Sequence, residues 1–310
     1  MRFVKLHGIG NDYIYLNGFE SDFTPPDDPA ELSRRLADRH YGIGGDGLIL
    51  VLPPDDGVDA QFKIRIFNAD GSEAEMCGNG IRCACKLAYD RGITCDNPIQ
   101  VQTGNGVLSL HYRLGSDGKV NRVTVNMGKP ILQAGQIPVQ IDGLHADAHV
   151  IDHYAEQLFA WQSPPCPSNW PSQCRLDWRM TCVSMGNPHA VFYCGDLEML
   201  PLEQVGPFFE HARIFPNRMN VHFIQVLNSD KVKMKTWERG SGITLACGTG
   251  ASAVCVAGVL TGRTNRSITA HLPGGNLTME WSGSDEHLYM TGPATEVFEG
   301  TIEVHTVAGS

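Results

Sequence analysis

Hydrophobic positions along the chain follow two periods. Residues 29–40, PAELSRRLADRH, place Leu32 and Leu36 on one face, which predicts an amphipathic helix. Residues 61–67, QFKIRIF, alternate Phe62, Ile64 and Ile66 with Lys63 and Arg65, the period of a half-buried strand. GLILVL (47–52) reads as a strand, and IQVQT and VLSLHYR, joined by Gly104-Asn105-Gly106, predict a hairpin. RVTVNMG (122–128) is another strand. In the second half CVSMGNPHAVFYC (182–194), NVHFIQVL (220–227) and KVKMKTWERG (231–240) are strand-like, and ITAHLPGGNLTMEW predicts a hairpin turning at Gly274-Gly275. Helices follow Cys77, in CGNGIRCACKLAYDRG, and Cys247, in CGTGASAVCVAGVLTG. The second is apolar all round and must be enclosed. The first is mixed, with Ile81, Ala84, Cys85 and Ala88 forming its buried stripe.

The two halves match. Each opens on a Gly-Asn pair (Gly10-Asn11, Gly186-Asn187), then has strands, a Gly-Ser dipeptide (71–72, 240–241) and C-G-x-G leading into a helix. Each has a glycine fifteen residues after the cysteine, Gly92 and Gly262, where a helix C′ glycine belongs. Two copies indicate a duplicated half rather than a solenoid. The fold class expected is α+β: two pseudo-symmetric domains, each a mostly antiparallel sheet wrapped around a central helix. Residues 1–121 with 293–310 would carry Cys77, and residues 122–292 would carry Cys247. The Pro-rich stretch 161–178, with three tryptophans, fits neither half and reads as a surface insertion.

Composition narrows the classes. At 310 residues, 42% hydrophobic and 19% charged, this is an ordinary globular composition with room for two cores. A net charge of −10 without a Lys/Arg cluster argues against nucleic acid and acidic membrane surfaces as partners. No stretch approaches a membrane span and the first residues carry no export signal, so a cytoplasmic protein is expected. Ten cysteines in such a chain are expected to be reduced thiols rather than disulfides. With neither a C-x-x-C pair nor H-E-x-x-H, no metal site is expected. GIGGDG (42–47) fits G-x-G-x-x-G literally, but a helix precedes it and a strand follows, the reverse of the dinucleotide fingerprint.

The chemistry lies in the paired caps. A helix start carries about half a positive charge and bare N–H groups. A cysteine there is expected to ionise roughly one unit more easily. The glycines let the backbone approach an anion. Two such turns facing one another would share one thiolate and one thiol, since the first charge opposes the second. A base and an acid on opposite faces of a carbon invert a stereocentre, and helix starts holding the carboxylate would receive the developing charge. Cys83, Cys85 and Cys255 lie inside the helices and read as small core residues.

HGIGNDY, FNADGSEAEMCGNG, SMGNPHAVF, ERGSGITLACGTG and LPGG together resemble the diaminopimelate epimerase family over nearly the whole chain except about 130–180. The resemblance implies a cofactor-independent homodimeric epimerase with its active site in a cleft between two domains. It would interconvert LL- and meso-diaminopimelate for lysine and peptidoglycan precursor synthesis. It implies Cys77 and Cys247 as paired base and acid, and Gly78, Asn79, Gly248 and Thr249 as helix-start groups holding the reacting carboxylate. Asn11, Asn68, Asn187, Asn220 and Arg239 resemble the set that recognises the substrate, chiefly at its distal end. Glu238 and His189 match residues near the reacting centre. Gly47 stands where some members have Gln, and the 130–180 region is longer than the pattern leads one to expect.

Other readings stay open at this stage. A proline or hydroxyproline racemase of the same fold would typically have His where Asn79 stands. A non-catalytic anion-binding protein gains nothing from cysteine at both caps. A redox protein cycling a Cys77–Cys247 disulfide would lack a C-x-x-C-type motif.

Overall fold

The computed structural model describes residues 1–159 and 169–303. Its contacts divide the chain into two units, residues 1–125 with 292 onward, and residues 126–291. The boundary falls beyond the residue 121 expected from sequence because strand Val120–Asn126 pairs with Gly106–Leu114 of the first unit.

In the first unit, strand Arg2–Gly8 pairs antiparallel with Asn11–Asn17, which runs parallel to Gly47–Leu52. Gly47–Leu52 pairs antiparallel with Phe62–Asn68, which takes the short Glu73–Ala74 on one side and runs parallel to Ile99–Thr103. Ile99–Thr103 then forms the predicted hairpin with Gly106–Leu114. The second unit repeats this order. Leu176–Ser184 pairs antiparallel with Pro188–Cys194, which is parallel to Asn220–Asn228. That strand is antiparallel to Lys231–Glu238, which takes the short Gly242–Ile243 and runs parallel to Ser267–Leu272. Ser267–Leu272 pairs with Gly275–Trp281, turning one residue earlier than the sequence suggested, since Leu272 sits opposite Gly275. The run 182–194 is two strands rather than one, because Gly186, at φ 91°, turns the chain between them. The duplication therefore extends from motifs to sheet topology.

Helices sit at matching places. In the first unit these are α1 (Pro29–Ala37) and α2 (Gly78–Asp90). The second unit contains α3 (Glu156–Phe159), α4 (Trp170–Gln173), α5 (Leu202–Glu210) and α6 (Gly248–Leu260). α1 and α5 each occur between the second and third strands of the repeated order. α5 escapes prediction because Pro207 interrupts its pattern. α6 is enclosed, as its apolar sequence demands, by five strands of its own unit. α2 is enclosed as well, including its charged side, and so lacks the wet face its mixed composition suggested. Arg82 is fully buried and donates to the carbonyls of Gly78 and Pro293; Lys86 pairs with Asp90 at 2.7 Å and donates to the Val120 carbonyl. Both helices end alike: Gly92 (φ 72°) and Gly262 (φ 68°) adopt the left-handed conformation that stops the helix.

The segment read as a surface insertion is corrected by packing. Residues 161–168 of it lie outside the described residues. Beyond them, Trp170 and Cys174 are buried in a hydrophobic core of the second unit. The Trp170 ring meets Trp178, Phe209 and Phe223 edge-on at 6.0–6.4 Å. The Pro-rich composition hid this, because the aromatic residues are too few to form a periodic pattern. Trp170→Ala is expected to cost about 3–5 kcal/mol in urea unfolding by leaving a cavity among these rings. A loss below about 1 kcal/mol, as for a surface substitution, would place the ring outside the core.

Candidate active site

Each unit holds one cysteine-capped helix start. Cys77 is the N-cap of α2, in extended conformation (φ −139°, ψ 111°), and its Sγ accepts from the Gly80 N–H at 3.3 Å. Cys247 caps α6 in nearly the same conformation (φ −131°, ψ 104°), accepting from the Gly250 N–H at 3.4 Å. A thiol thus occupies the place where a Ser or Asp oxygen ordinarily satisfies the first turn. The cap fixes the side chain, and the sulfur then lies beside the bare N–H groups of the helix start.

Around Cys77 the sequence-predicted residues divide. Asn11 lies with its Oδ1 3.5 Å from Sγ, and its Nδ2 donates to Asp46 at 2.7 Å. The Tyr13 hydroxyl bonds the same sulfur. Asn79 is buried with its Oδ1 unpaired, an acceptor left open at the helix start. Gly78 is buried in the first turn. Asn68 ends its strand with Nδ2 bonded to Ser72 at 3.0 Å. Asp46 and Tyr13 were not singled out from sequence. Asp46 belongs to the GIGGDG turn, which serves to orient Asn11, while Arg39 reaches both Asp12 and Asp46. Gly47 leaves no room for a longer side chain, since a Cβ there would lie 2.1 Å from the Phe67 carbonyl oxygen.

Around Cys247, Thr249 Oγ1 lies 3.7 Å from Sγ, Gly248 is buried, and the Glu238 carboxyl group bonds the thiol while accepting from Thr244. Asn220 is a clamp: its Nδ2 donates to the Pro188 carbonyl at 2.7 Å and its Oδ1 accepts from the Arg239 N–H at 2.9 Å. Arg239 is exposed, with Nη1 bonded to the Asn217 carbonyl at 3.0 Å. The following Gly240 N–H is held by Glu210, a buried carboxyl group that also accepts from Trp237 Nε1 at 2.7 Å. Glu210 lies in a helix the sequence did not reveal. Asn187 Oδ1 is 2.9 Å from His189 Nε2, and His189 is fully buried.

Electrostatics correct one expectation. The helix start was expected to lower both thiols, and instead burial pushes the Cys77 thiol up, outweighing the Gly80 N–H, the Tyr13 hydroxyl and the Asn79 N–H that pull it down. Cys247 is pushed well above the usual thiol range by burial first and the Glu238 charge second. The two caps are therefore unequal. Only Cys247 carries the added opposition of a neighbouring acid, and Cys77 is the readier thiolate. Cys83, Cys85 and Cys255 are buried core residues, as read, and burial pushes them up to about 11, 12 and 12.

His145, His149 and His153 recur at spacings of four but lie outside any helix, and no cluster able to hold a metal occurs among the described residues.

The sequence model of the family described as diaminopimelate epimerase matches residues 3–133 and 181–297, leaving out the stretch that contributes Trp170 to the aromatic core. The chain is 48% identical over 304 residues to a diaminopimelate epimerase of Methanococcus maripaludis, covering 98% of this chain and 100% of the relative. It is 46% identical over 305 residues to that of Acetivibrio thermocellus, covering 98% and 99%. Among solved structures, a phenazine biosynthesis protein of the PhzF family from Bacillus anthracis is similar with TM-score 0.69 at 13% identity, covering 98% and 99% of the two chains. A probable proline racemase from Agrobacterium radiobacter is similar with TM-score 0.61 at 14% identity, covering 99% and 94%. These last two share the fold. With a family match over most of its length and near-half identity to full-length relatives, the chain belongs to the diaminopimelate epimerase family.

Proposed function

We propose that this protein interconverts LL- and meso-diaminopimelate by proton transfer at the α-carbon between Cys77 and Cys247. The observation that carries the reading is the cysteine N-cap built twice, each thiol accepting the N–H three residues on. One thiolate removes the α-proton while the opposite thiol delivers one to the other face, so the products differ only in configuration. The bare N–H groups of the two helix starts receive the charge that develops on the carboxylate. Gly78, Asn79, Gly248 and Thr249 supply those positions. The buried, unpaired Asn79 Oδ1 supplies an acceptor suited to a substrate N–H. Asn11, Asn68, Asn187 and Arg239 recognise the rest of the substrate, with Asn220 and Glu210 fixing the turn that presents Arg239. His189 acts beside them, through Asn187.

The same reading makes the protein a cytoplasmic homodimer that needs no cofactor and serves lysine and peptidoglycan precursor synthesis. A proline racemase is the second reading of the fold, and Asn79 at the first helix start speaks against it. Purified protein given LL-diaminopimelate without pyridoxal phosphate is expected to yield the meso isomer on chiral separation and to leave proline unchanged. Proline racemisation at a comparable rate would overturn the substrate assignment.

The charge beside Cys247 yields a second test. A thiol acts as a base only above its pKa, and both thiols are raised. The first-order expectation is that kcat/KM climbs with pH from neutral into the alkaline range. Glu238→Gln removes the charge opposing Cys247 ionisation, so its thiolate fraction at fixed pH increases. Iodoacetamide is then expected to alkylate Cys247 faster in the variant, with Cys77 unaffected, as read by peptide mass. An unchanged Cys247 rate would mean the carboxyl group does not set its ionisation.

A further inference from the structure

Beside the Cys247 helix start lies a line of polar groups of which the motifs name only Asn187 and His189, leaving His222 and Thr236 without a role. Asn187 Oδ1 meets His189 Nε2 at 2.9 Å, His189 Nδ1 meets His222 Nε2 at 2.9 Å, and His222 Nδ1 meets Thr236 Oγ1 at 3.0 Å. Both rings are fully buried, and Thr236 is 3% exposed. His222 also supports the helix start. A Cβ at Gly250 would lie 2.2 Å from His222 Cε1 and 3.0 Å from Cys247 Sγ, so the imidazole is packed directly under the turn that caps with the thiol.

We propose that His222 is a positioning residue, joining the Cys247 helix start to Asn187 by locking His189 in one tautomer. The lock follows from donor and acceptor counts. An amide oxygen only accepts, so His189 Nε2 carries its proton and donates to Asn187. His189 Nδ1 is then a bare acceptor, and His222 must donate from Nε2. That leaves His222 Nδ1 bare, and the Thr236 hydroxyl donates to it. Each neutral imidazole has one donor and one acceptor, so the line has one consistent polarity once the amide oxygen is placed. Burial supports neutral rings: His222 is pushed down to about 3, and His189 well below the usual histidine range by burial and then by His222.

The consequence for binding is directional. With Oδ1 held, the Asn187 amide N–H groups point away from His189 and are presented as donors to a ligand oxygen. Without His222, the His189 ring can take its other tautomer or turn, and the amide can flip and present its oxygen instead. This rests on the reading that Asn187 contacts diaminopimelate. The tautomer itself does not, so the two can fail separately.

The test combines spectroscopy with kinetics on the full chain. In protein labelled with nitrogen-15 at histidine, protonated and bare ring nitrogens resonate far apart, and both His189 and His222 are expected in the Nε2–H form at neutral pH. His189 found with its proton on Nδ1 would overturn the proposal, whether or not the enzyme is active. His222→Leu removes the donor, and His222→Gln places an amide N–H near the position of Nε2. His222→Leu is expected to give His189 a mixture of tautomers and to raise KM for LL-diaminopimelate by about tenfold, the scale of one misdirected hydrogen bond. Its kcat should change much less, and His222→Gln should restore KM to within about threefold. Unchanged KM in His222→Leu, or equal losses in both variants tracking lost thermal stability, would reduce His222 to packing and sink the relay.

Discussion

A sulfur that caps a buried helix is held by two demands at once. The first turn needs an acceptor for the N–H three residues on, and the thiol supplies it at 3.3 Å in one unit and 3.4 Å in the other. The same helix is enclosed by its sheet, so its first turn is held in one place. The cysteine is therefore fixed in place before any substrate arrives. Glycine at the following positions is part of the same constraint, since a Cβ at Gly80 would lie 2.6 Å from Ile49 Cδ1 and one at Gly248 2.9 Å from Met290 Sδ. Preorganisation of this kind is what a proton-transfer site requires.

Burial has a cost that the helix start does not offset. Both thiols are raised by desolvation, and the N–H groups only reduce the rise. The free protein therefore holds both cysteines mostly as thiols at neutral pH. That limits adventitious oxidation and alkylation, which need the thiolate. The unequal surroundings, Tyr13 and Asn11 at one cap and Glu238 and Thr249 at the other, break the symmetry the duplication began with.

Much of this was legible in sequence because the duplicated parts are short and local. C-G-x-G, the following glycine and the Gly-Asn turns each reflect a backbone need that only a few residue types meet. The duplication of the halves followed from them. What the sequence concealed is non-local. Arg82 and Lys86 look like a wet helix face, but each donates to a backbone carbonyl of a distant segment, and Asp90 pairs the Lys86 charge. Trp170 looks like part of a loop, yet its ring is paired across the core with Phe223. Asp46 and His222 bond the predicted Asn11 and His189, Glu210 bonds Gly240 next to Arg239, and their spacing in sequence carries no sign of it.

The central claim is that two cap thiols act on opposite faces of one carbon. The most direct measurement is α-proton exchange in heavy water by Cys77→Ala and Cys247→Ala, each given LL- and meso-diaminopimelate. Each variant should lose inversion by about a hundred- to ten-thousand-fold. The remaining cysteine can still take and return a proton on its own side, so one variant should exchange one stereoisomer without inverting it and the other should favour the opposite stereoisomer. Near-normal inversion by either variant would contradict the account.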